Sequence, residues 1–239
     1  MNSTYLALSA QISLQRRIDT IANNVANATT AGFRAEQIRF STVLSSAADP
    51  SVGFSSIGET SLDLHSGEFV RTDNPFDVAV DGDVWLGITT PSGTSYTRDG
   101  RLQMSPTGEL MTTTGYTVLD AGGSGLRLDP NGGPPMIGRD GTITQGKTTV
   151  GTIGLFTIDR AARLERGAGS SIVPDIPAQP SVDTSDIGIR QGFFERSNVN
   201  AITEMTRLVA GQRMFDAVTT ALNETEQIKS DAIRTLAGS

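Results

Sequence analysis

The stretch SNVNAITEMTRLVAGQRMFDAVTTALNETEQIKSDAIRTL, residues 197–236, decides the fold. Asn200 has the side chain of a helix N-cap, and from Ala201 to Leu236 neither proline nor a cluster of β-branched residues interrupts the run. Leu208, Phe215, Leu222 and Leu236 fall on a seven-residue step, and Gly211, Val218, Thr225 and Ala232 sit three residues further along. These positions draw a seam along one side of a helix about 54 Å long, at ~1.5 Å per residue. A helix of that length cannot bury its own stripe, so the seam needs a partner.

A matching stripe lies at the opposite end of the chain. The spacing predicts a helix over residues 4 to about 28, in which Leu14, Ile18, Ile21 and Val25 step by four, three and four. Ala7 and Gln11 extend this line backwards, and Tyr5, Leu8 and Ile12 form a neighbouring one. Gly32 is expected as the C′ stop, with Phe33 just beyond it. Asn23, Asn24 and Asn27 are poor interior helix formers. They read either as a fraying end or as amides that bridge to another helix or chain.

Between the ends the chain turns often. All ten prolines fall between Pro50 and Pro180, and only Gly32, Gly211 and Gly238 lie outside residues 41–196. Residues 41–60 read as a linker with some extended structure, including the turn-rich Ser45-Ser46-Ala47-Ala48-Asp49-Pro50. Residues 61–196 read as a β domain. Phe76, Val78 and Val80 alternate, as do Val84, Leu86 and Ile88, with Asp81-Gly82-Asp83 as the turn between them. Pro91-Ser92-Gly93 closes a hairpin into Thr94–Thr97, and Ser105-Pro106-Thr107-Gly108 turns into Leu110-Met111. Arg98-Asp99-Gly100 is echoed by Arg139-Asp140-Gly141, a weak hairpin repeat, and residues 148–158 form a further strand or pair. Short antiparallel strands at this spacing suggest a sandwich or barrel-like module. Residues 160–180 read as polar and proline-rich, with helix returning only after Gly192-Phe193-Phe194.

The 239 residues suffice to bury a core, and the absence of cysteine excludes disulfides and thiolate metal sites. Net charge is −7, distributed as +2 over residues 1–40, −8 over 41–196 and −1 over 197–239. An acidic middle argues against nucleic acid as a partner. No signal peptide or spanning run is visible, and Arg16-Arg17, followed by Ile18-Asp19-Thr20, reads as a solvated helix face.

Candidate chemistry is sparse. His65, the single histidine, has no second histidine or cysteine with which to build a metal site or a triad, and is expected to be structural or solvent-facing. Asp81-Gly82-Asp83 lacks the later oxygen ligands of a calcium loop. Gly122-Gly123-Ser124-Gly125 lacks the lysine and the strand-to-helix setting of a phosphate cradle. Trp85 lies in an apolar alternating run and is expected in the core. A hydrolase working through paired carboxylates is the enzymatic alternative, but no converging set supports it. No catalytic residue, metal site or cofactor is expected.

The residues alone therefore point to a mainly β chain with terminal α-helices. The two helices (residues 1–40 and 197–239) are expected to pair as a coiled-coil-like assembly domain around an inserted antiparallel β domain (61–196). Apolar surface left over would meet neighbouring copies, and head-to-tail contacts that do not close make helical filaments.

The residues also carry a resemblance. Asn23-Asn24-Val25-Ala26-Asn27 with Thr30-Ala31-Gly32-Phe33-Arg34 is similar to the N-terminal signature of bacterial flagellar rod and hook proteins. Ser197-Asn198-Val199-Asn200, then Glu204-Met205 and Gln212-Arg213-Met214-Phe215, resembles their C-terminal signature. Residues 72–82 and Tyr96-Thr97-Arg98-Asp99-Gly100 resemble their central blocks, so the likeness spans nearly the whole chain. Within the family the short linker and Val84-Trp85-Leu86 look most like the proximal-rod branch, with the distal-rod branch as the alternative. Phe215-Asp216 and Val84 depart from the usual pattern.

The resemblance implies a structural rod subunit that is exported through the flagellar type III apparatus without a cleaved signal. It would assemble in the periplasm with other rod proteins and copies of itself, with no membrane insertion. The implied assembly interface comprises Leu14, Ile18, Ile21, Asn23, Asn24, Val25, Asn27, Gly32 and Phe33 near one end. Near the other it comprises Ser197, Asn198, Val199, Asn200, Glu204, Met205, Leu208, Arg213, Phe215 and Leu222. A soluble β protein whose terminal helices make an internal hairpin is the non-flagellar alternative.

Overall fold

The computed structural model describes residues 2–39, 42–45, 52–55, 59–181 and 187–237. It is mainly β, with one helix towards each end: α1, Asn2–Ala26, and α2, Ala201–Ala237. The chain divides into two compact units. One comprises residues 1–26, 36–61 and 200–239, and the other residues 27–35 and 62–199.

In the first unit both expected stripes are the half-buried lines of their helices. On α1 these are Gln11, Leu14, Ile18, Ile21 and Val25; on α2 they are Leu208, Gly211, Phe215, Val218 and Leu222, whereas Thr225, also expected on the seam, is exposed. Steps of three and four keep each set on one side. The helices touch along these lines. Gln11 Nε2 donates to Thr219 Oγ1 at 3.3 Å, and a Cβ on Gly211 would lie 3.2 Å from Ile18 Cγ1. The neighbouring line of α1 stays open, with Leu8 and Ile12 about half exposed, and so do Ile202, Met205, Val209, Met214 and Ile228 on α2. The side chains of Tyr5, Ala7, Ala232 and Leu236 lie outside the described residues.

Asn200 caps α2 as expected, its Oδ1 accepting the Thr203 N–H at 3.1 Å. Gly32 does not end α1. The helix stops at Ala26, and a turn follows in which Thr30 N donates to Asn27 O at 3.1 Å. Segment 41–60 carries a hairpin of Thr42–Ser45 with Val52–Ser55, and Glu59–Leu62 pairs with Glu36–Arg39. The turn expected at residues 46–50 lies outside the described residues.

In the second unit the central strand is Trp85–Thr90. One edge pairs with Gly93–Thr97 through the expected Pro91-Ser92-Gly93 turn, where Gly93 has φ +115°. The other edge is shared. Thr117–Val118 pairs with Ile88 and Thr89, and Leu155–Phe156 with Leu86 and Trp85. Because the strand is covered on both faces, its two sides build two cores. Leu86 and Ile88 join Val78, Val80, Leu110, Val118, Ile143 and Ile153. Trp85 joins Tyr96, Phe156 and Ile172, with the Tyr96 and Phe156 rings 5.3 Å apart. Trp85 is therefore a core residue, as expected.

Two expectations need correction. Asp81-Gly82-Asp83 is a corner rather than a hairpin turn, because Val78–Asp81 pairs with Gly188–Gln191 and not with Trp85–Thr90. Val78, Ala79 and Val80 are all buried, so that strand is shielded on both faces and finds its partner more than 100 residues away. The Arg98 and Arg139 triplets are not equivalent, since Arg98 is buried and Arg139 exposed. The polar, proline-rich stretch 160–180 contains strands Leu164–Arg166, Ile172–Pro174 and Gln179–Pro180, and strands Gly188–Gln191 and Phe193–Glu195 precede α2.

Candidate assembly interface

The residues expected at the interface fall into two groups. The first lies on the two helices. Leu14, Ile18, Val25, Leu208, Phe215 and Leu222 are half-buried on the touching lines, and Ile21 is buried. Glu204 is buried at the start of α2, where it accepts Arg207 Nη1 at 2.6 Å, a carboxylate well placed at a helix N-terminus. Met205, Arg213 and Asn23 are exposed.

Asn24 is buried, and it bridges to its own chain. Its Nδ2 donates to Glu36 O at 2.9 Å, and its Oδ1 accepts Glu36 N at 2.8 Å, so the amide stands in for a neighbouring strand. Asn27 accepts the Thr30 hydroxyl. Within the chain, then, Asn24 is engaged by the backbone of Glu36 and Asn27 by the Thr30 side chain.

The second group lies in the β unit. Asn198 Oδ1 accepts Ala35 N at 2.7 Å, while its Nδ2 donates to Asp63 O and His65 O, both at 2.9 Å. Its own N–H reaches Phe33 O at 3.3 Å. Val199 N donates to Ser197 Oγ, which shapes the turn ahead of α2. Gly32 N donates to Glu195 O at 2.8 Å. Gly32 has φ +65°, and a Cβ there would lie 2.3 Å from Asp99 N and 2.4 Å from Arg98 C. Close backbone approach, as well as handedness, demands glycine. Phe33 is buried beneath the Arg166 guanidinium, 4.0 Å from its ring centroid.

Beside this group sits a charged node that the sequence reading did not single out. Glu195, fully buried, lies 2.7 Å from Arg34 Nη1 and 3.7 Å from Arg98 Nε, and its Oε1 accepts Gly67 N at 2.7 Å. The Arg34 contact is an ion pair by distance, but its N–H groups are not aimed well enough to count as hydrogen bonds. Arg98 is better satisfied, donating to Val80 O at 2.7 Å and Gly82 O at 2.6 Å. Burial pushes the Arg98 guanidinium down to about 10, against the pull of the Glu195 charge, so it stays protonated at neutral pH. The Trp85 ring lies 5.6 Å from the Arg34 guanidinium and 5.5 Å from that of Arg98. One sequence signal did exist: Glu195 is an acid directly following the apolar pair Phe193-Phe194.

The buried acids are engaged with nitrogen donors rather than poised over a cleft: Asp99 with Arg101, Asp77 with Asn74, Glu204 with Arg207 and Glu195 with the arginines. His65 is solvent-facing, its Nδ1 2.6 Å from Asp63 Oδ1. Among the described residues no group of three His, Asp or Glu side chains could hold a metal ion. These contacts join segments of the chain that lie far apart in sequence or cap its turns.

Comparison with known proteins supplies three family matches along the chain. Residues 5–34 match the model described as "Flagella basal body rod protein". Residues 79–145 match "Flagellar hook protein FlgE/F/G D1 domain" and residues 190–235 match "Flagellar basal body rod FlgEFG protein C-terminal". The chain is 48% identical over 235 residues to the flagellar basal-body rod protein FlgF of Mesorhizobium japonicum, covering 98% of each chain. It is 42% identical to FlgF of Rhizobium meliloti, also covering 98% of each. Against the flagellar basal-body rod protein FlgG of Bacillus subtilis identity is 28%, again over 98% of each.

Proposed function

The chain belongs to the flagellar basal-body rod protein family, of the FlgF type, and from that premise we propose that its terminal helices are the means by which it polymerises. It is a structural subunit of the basal-body rod. In the proposed arrangement it takes the proximal position, with the helices forming the inner tube and the β domain facing outward. Torque passes through the interlocked helices. Residues 1–40 and 197–239 act as the assembly domain, 41–60 as a linker and 61–196 as the outer β module. Partners are other rod proteins and copies of itself, reached after passage through the type III export apparatus without a cleaved signal. No helix among the described residues is long and apolar enough to cross a membrane.

One observation carries this reading. Facing stripes of α1 and α2 meet along one line, while Leu8, Ile12, Ile202, Met205 and Val209 stay open beside it. A plain intramolecular hairpin explains the first fact and leaves the second unaccounted for. Covering one such side chain contributes about 1.5–3 kcal/mol, so a handful of them suffices to favour packing against a neighbour. The test is Phe215→Asp, which places a charge on the touching line. Rod assembly and motility are lost while the β unit keeps its fold. Normal motility from this variant would remove the helix seam from the mechanism.

A further inference from the structure

We infer that the two terminal signatures form a single lock within the β unit, whose N-terminal half stays shut only while the C-terminal half is folded. Residues 32–35 send two backbone donors out of their own segment, from Gly32 and Ala35, and both end on the 195–198 stretch. Phe33 O receives the Asn198 N–H, and the Arg34 guanidinium meets the Glu195 carboxylate. Hydrogen bonds independent of that stretch are fewer, Asp63 N donating to Ala35 O and Arg166 Nη2 to Arg34 O; the remaining contacts of residues 32–35 are packing, of Gly32 on the residue 98–99 backbone, Phe33 under Arg166 and Arg34 beside Trp85.

The C-terminal half is tied to the β unit without help from residues 32–35. Asn198 Nδ2 holds Asp63 O and His65 O, Arg196 N donates to Glu68 O, and Gly67 N is bound by the Glu195 carboxylate. Strand Phe193–Glu195 is paired along its length with Phe69–Arg71. The dependence is therefore lopsided. Without residues 195–198, the Gly32 and Ala35 amides lose their acceptors and a buried guanidinium loses its carboxylate, which low-dielectric surroundings penalise heavily. A chain lacking this late segment leaves its early signature undocked, so the lock closes only once residues 195–198 are in place.

The test uses the full-length chain and amide hydrogen exchange. Asn198→Ala removes the Asn198 side-chain bonds but does not touch the bond from Gly32 to Glu195 O. The lock predicts that protection at Gly32 nonetheless falls at least tenfold, while strand Trp85–Thr90 keeps its protection. Glu195→Gln, which keeps the shape and removes the charge, produces the same pattern more strongly and moves the Trp85 emission. Unchanged protection at Gly32 in Asn198→Ala overturns the coupling. So does an equal loss along Trp85–Thr90, since that would mean a general loss of stability rather than a lock.

Discussion

Replacing Gly32 with alanine puts the packing of the N-terminal signature to a quantitative test. The new Cβ would lie 2.3 Å from Asp99 N and 2.4 Å from Arg98 C, both backbone atoms next to a buried side chain, so no rotamer change relieves the overlap. Left-handed backbone costs a further ~1–2 kcal/mol for a residue with a Cβ. The segment can escape only by backing out. That gives up the hydrogen bond from Gly32 N to Glu195 O, about 1 kcal/mol, and parts Arg34 from Glu195, where breaking a buried pair costs about 3–5 kcal/mol. Partial movement shares these costs, so the expected loss is roughly 3–5 kcal/mol, a large part of the ~5–15 kcal/mol that holds a typical fold. Trp85 is the sole tryptophan and lies beside Arg34, so urea unfolding followed by its fluorescence reads this unit directly. The midpoint should fall at nearly constant slope. Gly32→Asn separates the two causes, because asparagine tolerates a positive φ but still carries the Cβ. A Gly32→Ala variant within about 1 kcal/mol of wild type, or an asparagine that restores most of the loss, would refute the close-approach argument.

Further outcomes follow from the same geometry. Asn24→Ala leaves Glu36 N and O without their side-chain partner and should cost ~1–3 kcal/mol, with faster amide exchange at Glu36; a Glu36 amide as protected as before would count against it. Burial raises the Asp63 carboxyl, but hydrogen bonds and charge from His65, with a smaller pull from Arg34, bring it below the usual carboxylate range. A lowered folded value means that its stabilisation is present above the ordinary carboxylate pKa of ~3.9 and is lost as pH falls through the folded value. The urea midpoint of Asp63→Asn should then lie below wild type at neutral pH and converge with it in acid; a gap that widens on acidification has the wrong sign. Met205→Ser and Arg213→Ala change exposed positions and should shift monomer stability by less than ~0.5 kcal/mol, yet reduce swimming in soft agar. Wild-type swimming by both variants would remove them from the interface.

What could be read directly was whatever repeats over a few residues. The stripe from Leu208 to Leu222, the cap at Asn200 and the hairpin at Pro91-Ser92-Gly93 each depend on neighbours within one or two turns of chain, and each is present. The half-buried positions on the helices were legible for the same reason, since steps of three and four place side chains on one side whatever lies opposite. Tertiary structure alone decided which strand pairs with which, and where the buried charges go. Val78–Asp81 lies against Gly188–Gln191, and Arg34 meets Glu195 across 161 residues of sequence. Nothing local distinguishes those partners from others of similar character. Gly32 shows the division most plainly: its sequence position suggested a helix stop, but the reason for glycine is a stretch of backbone from residues 98–99 pressed against it. Periodicity along the chain reveals which side of an element is apolar, whereas the identity of the surface that covers it is set by closure of long loops, which leaves no periodic mark.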